Sequence, residues 1–437
     1  MKILDFNSRN FWKNLASATE PVSHSAEISG IVAKVLDDVR ERGDAAVLEY
    51  TKKFDGAKLT PATMRVTGDE MAAALAEVPA ADRREIKKAI ACVRDFHRHT
   101  MPKNWRAKNA HGAVIGENFY PIQRVGLYIP GGQVPLVSTV VMTATIAKLA
   151  GCPEICVCTP PGPDGRINSH LLAALALEGV DEIYKIGGAQ AIAAMGFGTR
   201  TVRPVEKLFG PGNAFVIEAK RRLFGDVGVD LLPGPSEVLI VADSSAQAKY
   251  VASDLLSQAE HGSGKEKIYL VSTSKDLLKQ IPEELERQCA GLSHADKLKK
   301  IIASGCFAIL VPGLDEAAQV ANFIAPEHME LQVEPKSLAP LAKSIRTAGA
   351  ILMTEKTPTV LGDFTAGPSH TLPTGRTGRF SSGLQLSDFM RRSSIVKYDE
   401  KSLEKAHATV AAFARMESLD AHGKSLEVRL KPTYRWI

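Results

Sequence analysis

From Val114 onward the chain alternates short β-branched runs with alanine-rich runs, and this alternation is the strongest constraint on its fold. Val125-Gly-Leu-Tyr-Ile129, Glu154-Ile-Cys-Val-Cys-Thr159 and residues 182–186 read as strands, while 139–150, 169–178 and 189–195 read as helices. The pattern resumes after Gly234-Pro-Ser-Glu237. Strands are predicted over 238–242, 267–271 and 307–311, and helices over 246–261 and 274–289. Successive strands separated by helices pair in parallel, so the predicted class is α/β, with βαβ units around mostly parallel sheets. Residues 26–54 and 70–99 carry apolar residues at three- and four-residue spacing and read as amphipathic helices. From about Ser387 the helical pattern returns, over 403–417 and a closing 426–430.

At 437 residues the chain exceeds one simple core and implies two or more domains. A net charge of +5 with scattered basic residues gives nucleic acid binding no support. The absence of a long apolar run argues against a membrane span. The first residues lack an apolar leader, so the chain reads as cytoplasmic. Six cysteines are too few for a disulfide framework, and Cys156 and Cys158 alternate like a buried strand rather than a zinc knuckle.

Chemistry concentrates in Ala325-Pro-Glu-His-Met-Glu-Leu331 and in Leu361-Gly-Asp-Phe-Thr-Ala-Gly-Pro-Ser-His-Thr-Leu-Pro-Thr374. Glu327 and His328 are adjacent proton-transfer groups of different ordinary pKa. An alternative is a helix start after Pro326, with His328 exposed. Asp363 and His370 add a carboxylate and a second imidazole. Gln258 and His261 are three apart on a predicted helix and share a face; on spacing alone, Gln258 reads as an exposed helix amide and His422 as a surface or capping histidine rather than as ligands. Pro130-Gly-Gly132, Gly187-Gly-Ala-Gln190 and Gly210-Pro-Gly-Asn213 are three glycine turns, each where a strand hands over at a sheet's carboxyl edge, where open α/β folds bind cofactors.

Taken in order, Gly126–Gly132, Gly187-Gly-Ala-Gln-Ala-Ile-Ala193, Gly210-Pro-Gly-Asn-Ala-Phe-Val216, Leu256-Ser-Gln-Ala-Glu-His-Gly262, Ala325-Pro-Glu-His328, Gly362-Asp363, His370-Thr-Leu-Pro-Thr374 and Leu419-Asp-Ala-His422 resemble the histidinol dehydrogenase family over roughly residues 25 to 430. The resemblance implies a zinc- and NAD-dependent oxidation of a primary alcohol through an aldehyde to a carboxylate. By matching position, Gln258, His261, Asp363 and His422 would hold Zn²⁺, His328 would accept the proton, and Glu327 would activate water. Tyr128, Gln190 and Asn213 would meet NAD, and Ser236, His370 and Glu417 would line the substrate pocket. It further implies two incomplete Rossmann-like parallel-sheet domains with helical extensions, in a domain-swapped homodimer. The partner subunit would then supply Glu417 and His422. The corresponding division is a helical arm over 1–24, a discontinuous zinc-bearing domain over 25–125 and 237–380, an NAD-side domain over 126–236, and a helical dimerisation domain over 381–437.

Two positions depart from the family pattern. Thr359 stands where the family usually carries Glu, and Ser369 where it usually carries Asn. A carboxylate at 359 would repel an anionic substrate by roughly 1 kcal/mol or more. Its loss suits an anionic tail, and the two departures resemble the sulfopropanediol 3-dehydrogenase-like branch of the family, which implies (R)-2,3-dihydroxypropane-1-sulfonate (sulfopropanediol) oxidised to sulfolactate, with L-histidinol as the alternative. Retention of Glu417 argues for the cationic alternative. A metallohydrolase would use the same metal ligands without the glycine turns, and a scaffold protein would have no use for Glu327 and His328.

Overall fold

A computed structural model describes residues 1–20, 25–131, 135–261 and 264–430. The chain forms two compact units, one of Met1–Thr100 with Ile122–Phe389, the other of Met101–Pro121 with the described chain from Met390. In chain order the strands are β1 (Lys2–Asp5), β2 (Trp105–Lys108), β3 (Val114–Pro121), β4 (Arg124–Tyr128) and β5 (Glu154–Thr159). Then come β6 (Glu182–Lys185), β7 (Lys207–Phe209), β8 (Gly228–Val229), β9 (Glu237–Ala242) and β10 (Lys267–Ser272). The last are β11 (Cys306–Leu310), β12 (His328–Gln332), β13 (Ala350–Met353) and β14 (Met390–Lys397).

The first unit holds two wholly parallel sheets, of order β6-β5-β4-β7-β8 and β1-β11-β10-β9-β12-β13. The α/β expectation is met. In the larger sheet the two faces of each strand feed two different cores. Leu239, Val241, Met329 and Leu331 face one, with the helix Leu314–Ile324. Val238, Ile240, Ile268 and Leu270 face the other, with the helices Ala248–Ala259 and Lys275–Cys289. Parallel strands covered on both faces are expected to be apolar throughout. Strand β12 breaks that rule: His328, Glu330 and Gln332 alternate with its apolar residues and are all buried.

Four expectations need correction. The segment 1–24 is not simply a helical arm, because β1 pairs with β11 at the sheet edge before the helix Phe11–Ala18 begins. The last part of the chain is not wholly helical. β14 pairs antiparallel with β3, which pairs with β2, and this three-stranded sheet belongs to the second unit with the helices Glu400–Met416 and Asp420–Glu427. The closing helix therefore starts earlier than position 426. Pro326 introduces strand β12 rather than a helix. Among the described residues no helix is long and apolar enough to cross a membrane.

Candidate active site

The chemistry-bearing residues gather at the amino edge of the larger sheet. β9 begins at Glu237 directly after Ser236, and β12 begins at His328 directly after Glu327. The helix Ala248–Ala259 leaves the carboxyl end of β9 and runs back, so its last turn returns Gln258, and then His261, to that edge. The helix Thr359–Phe364, which follows β13, carries Asp363.

His328 Nε2 lies 3.9 Å from Glu327 Oε1 and 3.8 Å from Asp363 Oδ1. Glu327 Oε2 accepts the Glu237 backbone N–H at 2.9 Å, and Ser236 Oγ lies 3.4 Å from His261 Nδ1. His370 Nε2 is 3.4 Å from Thr139 Oγ1, in the first turn of the helix Val137–Ala150 that follows β4. The two parallel sheets thus contribute to one cleft.

Burial dominates the electrostatics. It pushes Glu327 well above the ordinary carboxylate range, with the neighbouring Glu237 and Asp363 carboxyls adding to the rise. Asp363 is pushed up to about 7 by burial and then by Glu330. His328 is pushed down to about 3 by burial and by His261 and His370, and His370 down to about 4 by burial and His261. Desolvation also lowers His261, although its surface is accessible. At neutral pH the imidazoles are therefore neutral and able to accept a proton or coordinate a cation.

Gln258 is 1% exposed, yet among the described residues neither its amide oxygen nor its nitrogen has a hydrogen-bond partner, and the same holds for His328 Nδ1. A buried amide without partners forfeits its hydration for nothing unless a ligand satisfies it. An amide oxygen, a neutral imidazole and a carboxylate are donors that zinc accepts, so Gln258, His261 and Asp363 fit the ion. Among the described residues, no three His, Cys, Asp or Glu side chains form a ready-made metal cluster. One predicted ligand is an amide, and another, His422, lies on the helix Asp420–Glu427 of the second unit. Glu417, at the end of the helix Glu400–Met416, belongs there too.

The glycine turns lie at the carboxyl edge of the smaller sheet. Tyr128, the last residue of β4, accepts the Gly188 N–H at 3.1 Å. Gln190 is fully buried and its Oε1 has no partner. Gly210 has φ +107°, and a Cβ there would sit 2.2 Å from the Tyr128 carbonyl oxygen, so only glycine allows the β4 and β7 ends this close. Asn213 caps the helix Ala214–Leu223 through Oδ1, which accepts from Phe215 and Val216. Its amide nitrogen is not used in the cap. Gly132, in the first glycine turn, lies outside the described residues.

Thr359 and Ser369 do not open a hydroxyl-lined pocket for an anion. Thr359 is 3% exposed, and both its backbone N–H and its Oγ1 donate to Glu330 Oε1 at 2.7 Å. The Thr359 hydroxyl is thus taken up by a buried carboxylate, that of Glu330, rather than turned toward a ligand. Ser369 is buried and donates to the Met142 carbonyl at 3.3 Å.

Sequence reading missed three carboxyls. Glu330 was detectable as the second member of the His-x-Glu-x-Gln alternation in β12, and Asp254 as the residue one turn before Gln258. Asp55 had no signal. It ends the helix Asp44–Phe54 and reaches Gln190 Nε2 at 3.4 Å, and burial pushes it up to about 6.

The fold is a pair of parallel α/β sheets, with the buried Glu327–His328 pair at the edge of the larger one. The histidinol dehydrogenase family pattern matches residues 18–430, and the chain belongs to that family. It is 41% identical over 433 residues to the histidinol dehydrogenase of Syntrophotalea carbinolica, covering 99% of each chain. It is 43% identical over 414 residues to that of Ruegeria pomeroyi, covering 93% of each. The crystal structure of histidinol dehydrogenase from Elizabethkingia anophelis superposes with a TM-score of 0.93 at 35% identity, covering 98% of both chains. These relatives overturn the reading that placed the sulfonate diol first and favour its alternative. The Glu330–Thr359 contact removes the electrostatic argument on which that reading stood.

Proposed function

We propose that this chain oxidises L-histidinol to L-histidine in two successive steps, using NAD⁺ and Zn²⁺. The observation that carries the reading is the buried Glu327–His328 pair beside Asp363 and the unpartnered amide of Gln258. Family membership supports the substrate and both cofactors. When bound, zinc orients the substrate and stabilises developing negative charge, and NAD⁺ receives the hydride.

The chain's own residues manage the protons. His328 Nε2, held neutral by its surroundings, accepts the hydroxyl proton as the alcohol becomes an aldehyde. Glu327, once ionised, removes a proton from water so that the hydrated aldehyde can form and be oxidised. Ser236 and His370 flank the substrate, while Tyr128, Gln190 and Asn213 line the dinucleotide side. The carboxylate retained at Glu417 suits a cationic substrate. Two NADH are expected per L-histidinol consumed, read from absorbance against substrate loss. One NADH would mean that the reaction stops at the aldehyde, and none would favour a hydrolase.

We also propose a homodimer in which Glu417 and His422 complete the site of the partner copy; the family resemblance supports this. Complementation tests it. His422→Ala and Asp363→Ala are each expected to be inactive alone. After co-refolding, hybrid dimers regain one intact site, giving about a quarter of wild-type activity for a random mixture. If both ligands came from one copy, no hybrid would be active.

A further inference from the structure

The polar stripe of β12 continues away from the catalytic pair into a network with no role in the proton transfers. Glu330 is 1% exposed and Asp254 8%. Asp254 lies one turn before Gln258 on the helix Ala248–Ala259, which covers the face of the sheet that Glu330 meets. The Gln332 Nε2 amide donates to both carboxyls, at 2.8 Å to Asp254 and 3.1 Å to Glu330. Glu330 Oε1 accepts the Thr359 N–H and Oγ1, both at 2.7 Å, at the start of the helix that carries Asp363. The network therefore joins the three elements that carry Gln258, His328 and Asp363.

These donors to the two carboxyls are all neutral. Two adjacent buried carboxylates bridged by one amide repel each other unless one of them keeps its proton. Asp254 is pushed up to about 8, first by burial and then by Glu330, with which it is hydrogen-bonded. The charge of Glu330 also acts on Asp363. Gln258, on the next turn of the helix, is buried with its amide unpartnered, which points independently to a ligand at the far end of the network.

We propose that Asp254 and Glu330 are a positioning pair that shares one proton, so that the network keeps a single negative charge beside Asp363 and fixes the helices that aim Asp363 and Gln258. The inference rests on the zinc reading above. A shared proton has a distinctive consequence. In Asp254→Asn, Glu330 keeps the charge and the amide supplies the hydrogen bond. In Glu330→Gln, Asp254 loses its proton and takes over the charge. Only the double variant is neutral, and two amides still allow a hydrogen bond.

Zinc affinity, measured on the full-length protein by competition with a chelating dye near neutral pH, is expected to change less than about threefold in either single variant. In the double variant it is expected to weaken about ten- to hundredfold, the usual effect of losing support behind metal ligands. Single effects that simply add to give the double, or a double variant with wild-type affinity, would overturn the proposal. Infrared spectra of the metal-free protein supply a readout independent of zinc. One carboxylic acid C=O band should disappear in each single variant, the same band in both, and its persistence in either would also overturn it. If wild-type protein binds no zinc while that band behaves as expected, the zinc reading fails and the shared proton stands.

Discussion

His328→Asn is expected to lower kcat on L-histidinol by about a hundredfold or more, the usual cost of losing a general base. The loss should fall on kcat rather than on NAD⁺ binding, because the glycine turns belong to the other sheet. The ring cannot be replaced by its neighbours. Its Nε2 lies within 4 Å of both Glu327 and Asp363, but burial pushes Glu327 well above the ordinary carboxylate range and Asp363 is proposed as a metal ligand. Glu327→Gln should spare the alcohol step relatively and slow oxidation of added aldehyde. Burial raises the Glu327 pKa, and the ionised form is the active one, so aldehyde oxidation should fall off on the acid side well above pH 4.5. The glutamine variant should lose that limb. Near-normal turnover in both variants would show that the pair has been misassigned.

The parts of this architecture that could be read from sequence are those whose pattern is set by their own burial. β4, β5, β9 and β10 are apolar on both faces, so each run announces itself between helical segments. β1 and β14 could not be read this way. β1 is a mostly exposed edge strand, and β14, Met-Arg-Arg-Ser-Ser-Ile-Val-Lys, is largely exposed and strand-like only because β3 offers it a ladder. The site was legible where one short segment holds two reactive groups, as at Glu327 and His328. It was obscure where charge is shared across elements. Thr359 read as an open hydroxyl because its acceptor, Glu330, lies 29 residues earlier in sequence, yet 2.7 Å away in space. A substrate reading built on that single position therefore lacked the contact that occupies it. Carboxyl-edge reasoning located the glycine turns but not the chemistry, which sits at the amino edge of the larger sheet because the helix Ala248–Ala259 returns there.

Asp363→Asn is expected to abolish zinc retention and to reduce turnover by about a thousandfold, as loss of several kcal/mol of charge stabilisation implies. The reasoning starts from the metal-free protein. Burial and Glu330 push the Asp363 carboxyl up to about 7, so its ionised form is disfavoured in the folded chain relative to the unfolded one. A raised carboxyl contributes its stability at low pH and loses it as pH rises through the folded-state value. Above about pH 7 the wild-type chain thus carries a cost that the neutral amide does not. Metal-free Asp363→Asn should consequently melt at or above the temperature of the metal-free wild type at pH 8, which excludes misfolding as the cause of inactivity. Added zinc should raise the wild-type Tm by mass action and leave the variant unmoved. Gln258→Ala should act in the same direction, since its buried amide has no partner among the described residues. One zinc per chain in Asp363→Asn, with activity within tenfold of wild type, would remove this carboxylate from the metal site.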